Sequence, residues 1–121
     1  MARTVMIVDD SATMRMMVVF TLQEAGYTMI EAVSGTDAFE KLEKNDVDMI
    51  IADLHMPQMD GITLVKMIRS HKDYHLIPIV ILTTEDRESI REQGREAGAT
   101  GWMVKPFKPE QLVAITRKVL E

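Results

Sequence analysis

The sequence predicts an α/β protein built on a doubly wound, five-stranded parallel sheet in three layers. Short apolar segments typical of strands alternate strictly with longer segments of helical periodicity, five of each. The first, third and fourth apolar segments contain no polar residue before their last position, as expected of central parallel strands that are covered on both faces. Right-handed crossover connections then place helices on both sides of one sheet.

The predicted strands cover residues 5–8, 29–33, 49–53, 79–82 and 101–104. The second strand is the least apolar of the five, because Glu31 interrupts it. A turn over residues 45–48 leads into the third strand, and Pro78 opens the fourth. The segment 105–107, Lys-Pro-Phe, ends the fifth strand.

The first predicted helix covers residues 13–25, and Gly26 stands where a C-terminal glycine cap belongs. Its buried stripe, at helical spacing, is predicted to consist of Met14, Met17, Val18, Thr21, Leu22 and Ala25. The helix is too apolar for a single stripe. Some of Met16, Val19 and Phe20 are therefore expected on the surface, unless the fifth helix covers them.

The other helices also begin or end at recognisable residues. Ser34 or Thr36 caps the second helix, and Gly98 repeats the glycine cap at the end of the fourth. Pro109 suits the first turn of the fifth helix. The apolar stripes of the second, third and fifth helices are Ala38, Phe39 and Leu42, then Leu64, Val65 and Ile68, then Leu112, Ile115 and Val119.

Length and composition limit the possible functions. The chain has 121 residues, 46% apolar and 27% charged, which suits one globular domain over residues 1–121 with no output domain. It has no cysteine, and its three histidines lack the spacing of a zinc site. A net charge of −5 argues against nucleic acid as a direct partner. The sequence shows no signal-peptide pattern and no membrane-spanning apolar stretch, so a cytoplasmic protein is expected.

Polar side chains stand at the carboxyl ends of four predicted strands. Asp9 and Asp10 follow the first strand, Asp53 ends the third, and Thr83 and Lys105 follow the fourth and fifth. Each residue alone is readily explained as a helix cap or a surface side chain. Together they lie at the edge where open α/β sheets bind ligands, which indicates a functional site. Three adjacent carboxylates require a cation, and hard oxygen ligands select Mg²⁺, or Mn²⁺ in its place.

The chemistry of these groups favours phosphoryl transfer. Asp53 can attack phosphorus as a carboxylate nucleophile. The Lys105 ammonium and the Thr83 hydroxyl can contact the phosphoryl oxygens, because this reaction needs mainly positioning and charge stabilisation. The backbone N–H of Thr84 is a further candidate contact, since amides there are expected to open toward a helix N-terminus.

At these motifs the chain resembles the receiver domains of bacterial two-component response regulators, most of all the single-domain chemotaxis type. The resemblance extends over residues 5–120. It rests on four segments: Val8-Asp9-Asp10, residues 53–61 with Asp53, His55, Pro57, Met59, Asp60 and Gly61, then Leu82-Thr83-Thr84, and Lys105-Pro106-Phe107. It implies a flavodoxin-like sheet with strand order 2-1-3-4-5.

The resemblance also implies roles for individual residues. Asp53 is the phosphoacceptor. Asp10, Asp53 and the main-chain carbonyl of His55 bind Mg²⁺ directly, and Asp9 assists through water. Lys105 contacts the phosphoryl group, and its bond to the following proline is expected to be cis.

Three residues near the expected site are particular to this chain: Trp102, His55 and Glu85. The switch aromatic is usually Tyr or Phe, but here it is Trp102. On activation Thr83 is expected to move toward the phosphoryl group and the aromatic to follow it inward, although the larger indole could instead stay packed on the fourth helix. His55 and Glu85 flank the site and are expected to tune the phosphoryl lifetime by ordering or blocking water, in a direction that the sequence does not fix.

The implied phosphoryl donor is a phosphohistidine on a sensor histidine kinase or a phosphotransfer protein, for which small acyl phosphates can substitute. The donor is expected to dock near the first helix, where exposed Met and Phe side chains would suit it. A downstream protein, plausible in chemotaxis, would bind the face formed by the fourth helix, the fifth strand and the fifth helix. Such a protein is not an enzyme, since it promotes only its own phosphorylation and dephosphorylation.

Three alternatives are weighed against this interpretation. A phosphoryl sink or relay intermediate would share the site but have no output target. A phosphohydrolase would need an Asp-x-Asp motif after the first strand, where the chain has Asp9, Asp10 and Ser11. A flavin carrier would need a phosphate-binding loop, but residues 9–13 contain no glycine.

Overall fold

Five parallel strands form one sheet in the order β2-β1-β3-β4-β5 in the structure, a computed structural model that describes residues 2–121. The strands are β1 (Thr4–Val8), β2 (Thr28–Ala32), β3 (Met49–Ala52), β4 (Ile79–Thr83) and β5 (Gly101–Val104). The helices are α1 (Ala12–Glu24), α2 (Gly35–Lys44), α3 (Gly61–Arg69), α4 (Glu88–Ala97) and α5 (Pro109–Leu120). The predicted fold class and strand order are confirmed.

The sheet separates two apolar cores, because successive side chains of a strand point to opposite faces. In β1, Met6 and Val8 pack into the core beneath α2 and α3, whereas Val5 and Ile7 pack into the core beneath α1 and α5. Every side chain of β3 and β4 is buried. Strands β3 and β4 therefore contribute to both cores and end at the edge that carries the polar residues.

Side-chain caps fix where the helices begin. Ser11 caps α1 by accepting a hydrogen bond from the amide of Met14, and Ser34 caps α2. Asp60 caps α3. The strand-end carboxylates of Asp9, Asp10 and Asp53 are consequently not the caps of the helices that follow them.

Strand β2 ends one residue earlier than predicted. The amide of Val33 donates to the carboxylate of Asp37 at 2.9 Å, so Val33 belongs to the entry of α2 and its side chain is exposed. Gly26 and Gly98 have φ angles of +98° and +109°, which confirms both predicted glycine turns at helix ends.

The surface of α1 differs in part from the prediction. Met16 and Phe20 are 69% and 66% exposed, as expected, and α5 does not cover them. Val19 is half-buried. Met17 was predicted in the buried stripe and is 46% exposed, so that prediction is wrong. The apolar residues of α1 form more than one helical stripe, and only Val18 and Leu22 are fully buried.

Arg69, at the end of α3, binds three backbone carbonyls in two other segments of the chain. Its guanidinium donates hydrogen bonds to the carbonyls of Gly98 and Ile77 at 2.9 and 2.6 Å and to that of His75 at 3.1 Å. These contacts connect the C-terminal ends of α3 and α4 on one side of the sheet. Within residues 2–121, no helix is both long enough and apolar enough to cross a membrane.

Candidate functional site

The structure brings the three predicted carboxylates together at the carboxyl edge of the sheet. Asp9 and Asp10 follow β1, and Asp53 follows β3, which is hydrogen-bonded to β1. One oxygen from each carboxylate lies within 4.8 Å of the others. Asp9 and Asp53 are buried, whereas Asp10 is exposed. The cluster thus has a buried floor and one side open to solvent.

Lys105, at the end of β5, supplies the only lysine or arginine side chain among residues 2–121 that forms an ion pair with this cluster. Its Nζ lies 3.4 Å from Asp9 Oδ2 and 3.5 Å from Asp53 Oδ1. The Lys105–Pro106 peptide bond is cis, as the resemblance implied. One ammonium group facing three carboxylates leaves a net negative charge.

The surroundings of Asp53 disfavour the ionised form of its carboxyl group. Burial raises the pKa of the Asp53 carboxyl above its ordinary value, and the neighbouring charge of Asp9 raises it further. Lys105 and the backbone N–H groups of His55 and Leu54 act in the opposite direction, lowering the pKa without cancelling the effect of burial. A cation at the open side would stabilise the ionised form.

The donor set fits a hard divalent cation. The cluster offers only carboxylate oxygens, with the carbonyl of His55 in the same loop, and contains no sulfur or imidazole ligand among the described residues. The exposure of Asp10 leaves room for the water molecules that Mg²⁺ retains when bound to proteins.

Asp9 is held by contacts that the sequence analysis missed. The amide of Ser11 donates to Asp9 Oδ1 at 2.8 Å, and the Arg15 guanidinium donates to the Asp9 carbonyl at 2.7 Å. Arg15 also pairs with Glu31 at 3.2 Å, which explains the acidic residue in β2. Asp9 lies in the loop before α1 and Arg15 lies in the helix, six residues later. No helix or strand periodicity applies across that boundary, so the sequence pattern does not predict the contact.

The loop after Asp53 depends on the glycine of its motif. The amide of Gly61 donates to the carbonyl of Leu54 at 2.8 Å, which closes the loop. A Cβ at position 61 would lie 2.5 Å from the backbone oxygen of Asp53. Any larger residue would therefore displace the backbone that carries Asp53.

Thr83 and Thr84 have different surroundings. Thr83 is fully buried at the end of β4, and its hydroxyl accepts a hydrogen bond from the amide of Glu85 at 3.3 Å. Thr84 is exposed. Helix α4 begins only at Glu88, so the expectation that the Thr84 amide opens toward its first turn is wrong.

Glu85 is held by an arginine rather than by His55. Two nitrogens of the Arg87 guanidinium bind the two Glu85 carboxylate oxygens at 2.7 and 3.0 Å. This hydrogen bonding, with a smaller contribution from His55, lowers the pKa of the Glu85 carboxyl. The His55 ring is exposed and makes no hydrogen bond within residues 2–121. In a loop, a Glu-x-Arg spacing does not predict that the two side chains are in contact, so the Arg87–Glu85 ion pair was not predicted from the sequence.

Trp102 packs on α4. Its indole N–H donates to the carbonyl of Glu85 at 3.0 Å. A Cβ at Gly94 would lie 2.7 Å from Cζ3 of the indole, so the ring edge occupies space that only a glycine of α4 leaves free. In this structure the aromatic therefore lies against the fourth helix. Its inward movement on activation stays a prediction.

Comparison with known proteins matches this fold and site to one family. The sequence model of the response regulator receiver domain matches residues 5–117. The chemotaxis protein CheY1 of Helicobacter pylori is 41% identical over 109 residues, 88% of each chain. The transcriptional regulatory protein PhoP of Bacillus subtilis is 33% identical over 120 residues, which are 99% of this chain but 49% of that protein.

Solved structures agree with the sequence comparisons. The chemotaxis protein CheY4 of Vibrio cholerae superposes with a TM-score of 0.94 at 43% identity, covering 99% of this chain and 100% of that one. Its similarity therefore includes all five strands and all five helices. This chain belongs to the response regulator receiver domain family and is of the CheY type.

Proposed function

We propose that this chain is a phosphoacceptor switch of a two-component signalling system. Asp53 takes a phosphoryl group from a phosphohistidine of a sensor kinase or phosphotransfer protein, and the change is passed to a surface that binds a downstream protein. The observation that carries the proposal is the position of Asp53, a buried carboxylate within 4.8 Å of two others and 3.5 Å from Lys105.

The transfer is a substitution at phosphorus. One Asp53 oxygen attacks the phosphorus atom, the bond from phosphorus to the imidazole nitrogen breaks, and its electron pair leaves with the histidine. Asp53 must be ionised to attack. Lys105 favours this form because its ammonium group lowers the pKa of the Asp53 carboxyl.

We propose that the residues around Asp53 help to balance the negative charge of the phosphoryl group. Asp10, Asp53 and the His55 carbonyl would hold Mg²⁺ directly and Asp9 through water, and Mn²⁺ could take its place. Bound Mg²⁺ would supply positive charge to a phosphoryl oxygen.

Three further groups complete the proposed phosphoryl contacts. Lys105 would bind a second phosphoryl oxygen through its ammonium group, and Thr83 would donate its hydroxyl to a third. The exposed Thr84 could add its backbone N–H. These contacts would stabilise the transferring group by charge and hydrogen bonding.

The output would pass from Thr83 through the loop before α4. The Thr83 hydroxyl accepts the Glu85 amide, and the Glu85 carbonyl accepts the Trp102 indole. If Thr83 turns toward a phosphoryl group, the Glu85 amide loses its hydrogen-bond acceptor. The Glu85 carbonyl, which accepts the hydrogen bond of the Trp102 indole, would then shift. The surface formed by α4, β5 and α5 would respond, and it is the proposed site for the target protein.

Phosphoryl lifetime would depend on the groups beside Asp53. His55 is exposed and Glu85 is held by Arg87, and we propose that these two side chains order or block the water that attacks an acyl phosphate on Asp53. We expect His55→Ala to change the dephosphorylation rate, and an unchanged rate would contradict the assignment.

Acetyl phosphate and Mg²⁺ test the proposal directly. The expected result is one added phosphoryl group by intact mass, together with a change in Trp102 fluorescence. Asp53→Asn should abolish both, whereas Asp46→Asn, an exposed acid in the turn before β3, should retain both. Adduct formation in Asp53→Asn would exclude Asp53 as the acceptor.

Similarity to CheY-type chemotaxis proteins over most of the chain favours a target-binding regulator in the cytoplasm over a phosphoryl sink. A pull-down with the phosphorylated protein distinguishes the two. A regulator should retain a protein that depends on phosphorylation and on Trp102, whereas a sink should retain only its phosphoryl donor.

A further inference from the structure

Asp9 has a partner at each of its polar atoms. Its amide donates to the carbonyl of Ala32 in β2 at 3.1 Å, and its carbonyl accepts from the Arg15 guanidinium at 2.7 Å. One of its carboxylate oxygens accepts from the amide of Ser11 at 2.8 Å, and the other lies 3.4 Å from Lys105. Asp9 therefore cannot turn without breaking several contacts.

Asp10 is held in a different way. Its side chain is exposed and forms no ion pair within residues 2–121. The carbonyl of Asp9 and the Cα of Asp10 belong to one planar peptide unit. Because Arg15 binds that carbonyl, it fixes the plane of the unit. The plane in turn sets the position of the Cα from which the Asp10 carboxylate projects.

We propose that Arg15 is a positioning residue of the metal site, which holds this peptide unit so that the Asp10 carboxylate meets the other two of the cluster. The three carboxylates each place an oxygen within 4.8 Å of the others. The inference rests on the Mg²⁺ site of the function proposed above. It adds to that site a residue that is not itself a ligand.

Glu31 keeps the Arg15 side chain in place. The Nε of Arg15 lies 3.2 Å from a Glu31 carboxylate oxygen, and its Nη1 donates to the Asp9 carbonyl. The guanidinium is planar, so its donors have fixed directions, and the ion pair at Nε helps to set the direction of Nη1. The Arg15 side chain is only 15% exposed, whereas that of Glu31 is 50% exposed. Strand β2 thus contributes to the metal site through Arg15.

A purely electrostatic role for Arg15 would have the opposite effect on metal binding. Its positive charge repels a nearby divalent cation, so its removal would tighten Mg²⁺ binding if charge were the only influence. Removal of a group that orients metal ligands instead weakens binding, typically by about 10-fold to 100-fold. The direction of the change therefore distinguishes positioning from charge.

Titration calorimetry of the unphosphorylated protein with Mg²⁺ tests the proposal. We expect Arg15→Met to weaken binding about tenfold, because the peptide unit before Asp10 is no longer held. Arg3→Met is the matched control, since it removes the same charge from an exposed arginine before β1, at the opposite edge of the sheet. It should bind Mg²⁺ as the parent protein does. Unchanged or tighter binding in Arg15→Met would overturn the proposal.

A double-variant cycle tests the part played by Glu31. Glu31→Gln should weaken Mg²⁺ binding less than Arg15→Met does, and it should have no further effect in a chain that already carries Arg15→Met. Effects that act only through charge at the metal would instead be independent and would add. An additive loss in the double variant would therefore contradict positioning through this ion pair.

The contact can also be followed without metal. The ¹³C NMR resonance of the Asp9 carbonyl should shift in Arg15→Met and stay in place in Arg3→Met, and a resonance that is unchanged in both would overturn the proposal. Circular dichroism checks that each variant is folded. A parent protein that binds no Mg²⁺ would remove the metal site itself, whereas normal binding by Arg15→Met would remove only the role of Arg15. Phosphorylation of Asp53 is measured separately, by mass.

Discussion

Asp53 is buried beside two carboxylates and one ammonium group. These neighbours and its burial determine how the charge of Asp53 affects the stability of the folded protein. Its pKa is raised in the folded protein, mainly by burial. Between the ordinary pKa and this raised value, the folded state binds more protons than the unfolded state. Stability therefore falls as the pH rises through that interval, and the full penalty remains above it.

We predict that Asp53→Asn stabilises the metal-free protein at about pH 7 by about 1 kcal/mol, because it removes a poorly compensated buried charge. The gain should disappear at about pH 3, below the ordinary aspartate pKa, where Asp53 is protonated in both states. Urea unfolding at the two pH values measures it. Exposed Asp46→Asn serves as the control, and a loss of stability at neutral pH would contradict the prediction.

Lys105 is the strongest influence that lowers the Asp53 pKa. We therefore predict that Lys105→Met raises the pKa of Asp53 further, and that phosphorylation by acetyl phosphate slows at a given pH. Carboxyl ¹³C NMR titration reports the first effect. Lys108→Met changes an exposed lysine nearby and should leave the Asp53 pKa in place. An unchanged pKa in Lys105→Met would mean that the ion pair does not persist in solution.

Among the helices, α4 is the least anchored. Its only buried residue is Gly94, whereas α3 buries four residues. Its N-cap, Arg87, makes no side-chain capping hydrogen bond. Trp102 and the Arg69 contacts to the end of α4 are therefore a large part of what holds it. A helix held in this way can shift without exposing much apolar core.

We predict that the effect of Gly94→Ala changes sign with the residue at position 102. With Trp102 present, the new Cβ would meet the indole 2.7 Å away and destabilise the protein. In Trp102→Ala the same change should stabilise α4 by up to about 1 kcal/mol, because alanine favours helix over glycine.

Thermal or urea unfolding of the two single variants and the double variant measures this coupling, which should exceed about 1 kcal/mol. Additive effects would show that the indole does not rest against Gly94 in solution. Trp102→Phe provides an intermediate case, since a smaller ring removes part of the contact and also the hydrogen bond to Glu85.

The sequence predicted most helix and strand ends within one or two residues, but it failed at the surface of α1. Met17 fits the buried spacing as well as Val18 does, and only the direction in which α1 faces the sheet separates them. That direction depends on α5, which packs from a distant part of the chain. Val33 likewise fits a strand, yet the Asp37 carboxylate takes its amide. Such outcomes depend on tertiary contacts that periodicity does not contain.

At the scale of the whole molecule, sheet topology assembles the site. Strands β1, β3, β4 and β5 are adjacent and parallel, so residues at their carboxyl ends converge although they are far apart in sequence. This is why Asp9, Asp53 and Lys105 could be predicted together. The Arg15 and Arg87 contacts could not, because they depend on loop geometry rather than on strand order.

We predict that Mg²⁺ stabilises the folded protein, because the carboxylate cluster exists only in the folded state. At about 100 times the dissociation constant, the gain should be about 2.7 kcal/mol. Thermal unfolding with and without Mg²⁺ measures it. Asp10→Asn should reduce the gain, while Asp46→Asn should retain it. Equal stabilisation in all three proteins would indicate a general salt effect instead of a site.

The division of the interior by the sheet has a consequence for how such a protein can diversify. Helices α2 and α3, with the Trp102 side of the sheet, share one core, and α1 and α5 share the other. Substitutions on the outer surface of α1 can therefore accumulate without changing the packing of the other core, which contains Trp102. Duplicated copies of such a gene could acquire different recognition surfaces while keeping one switching apparatus, and an engineer could exchange the surface of α1 independently of α4.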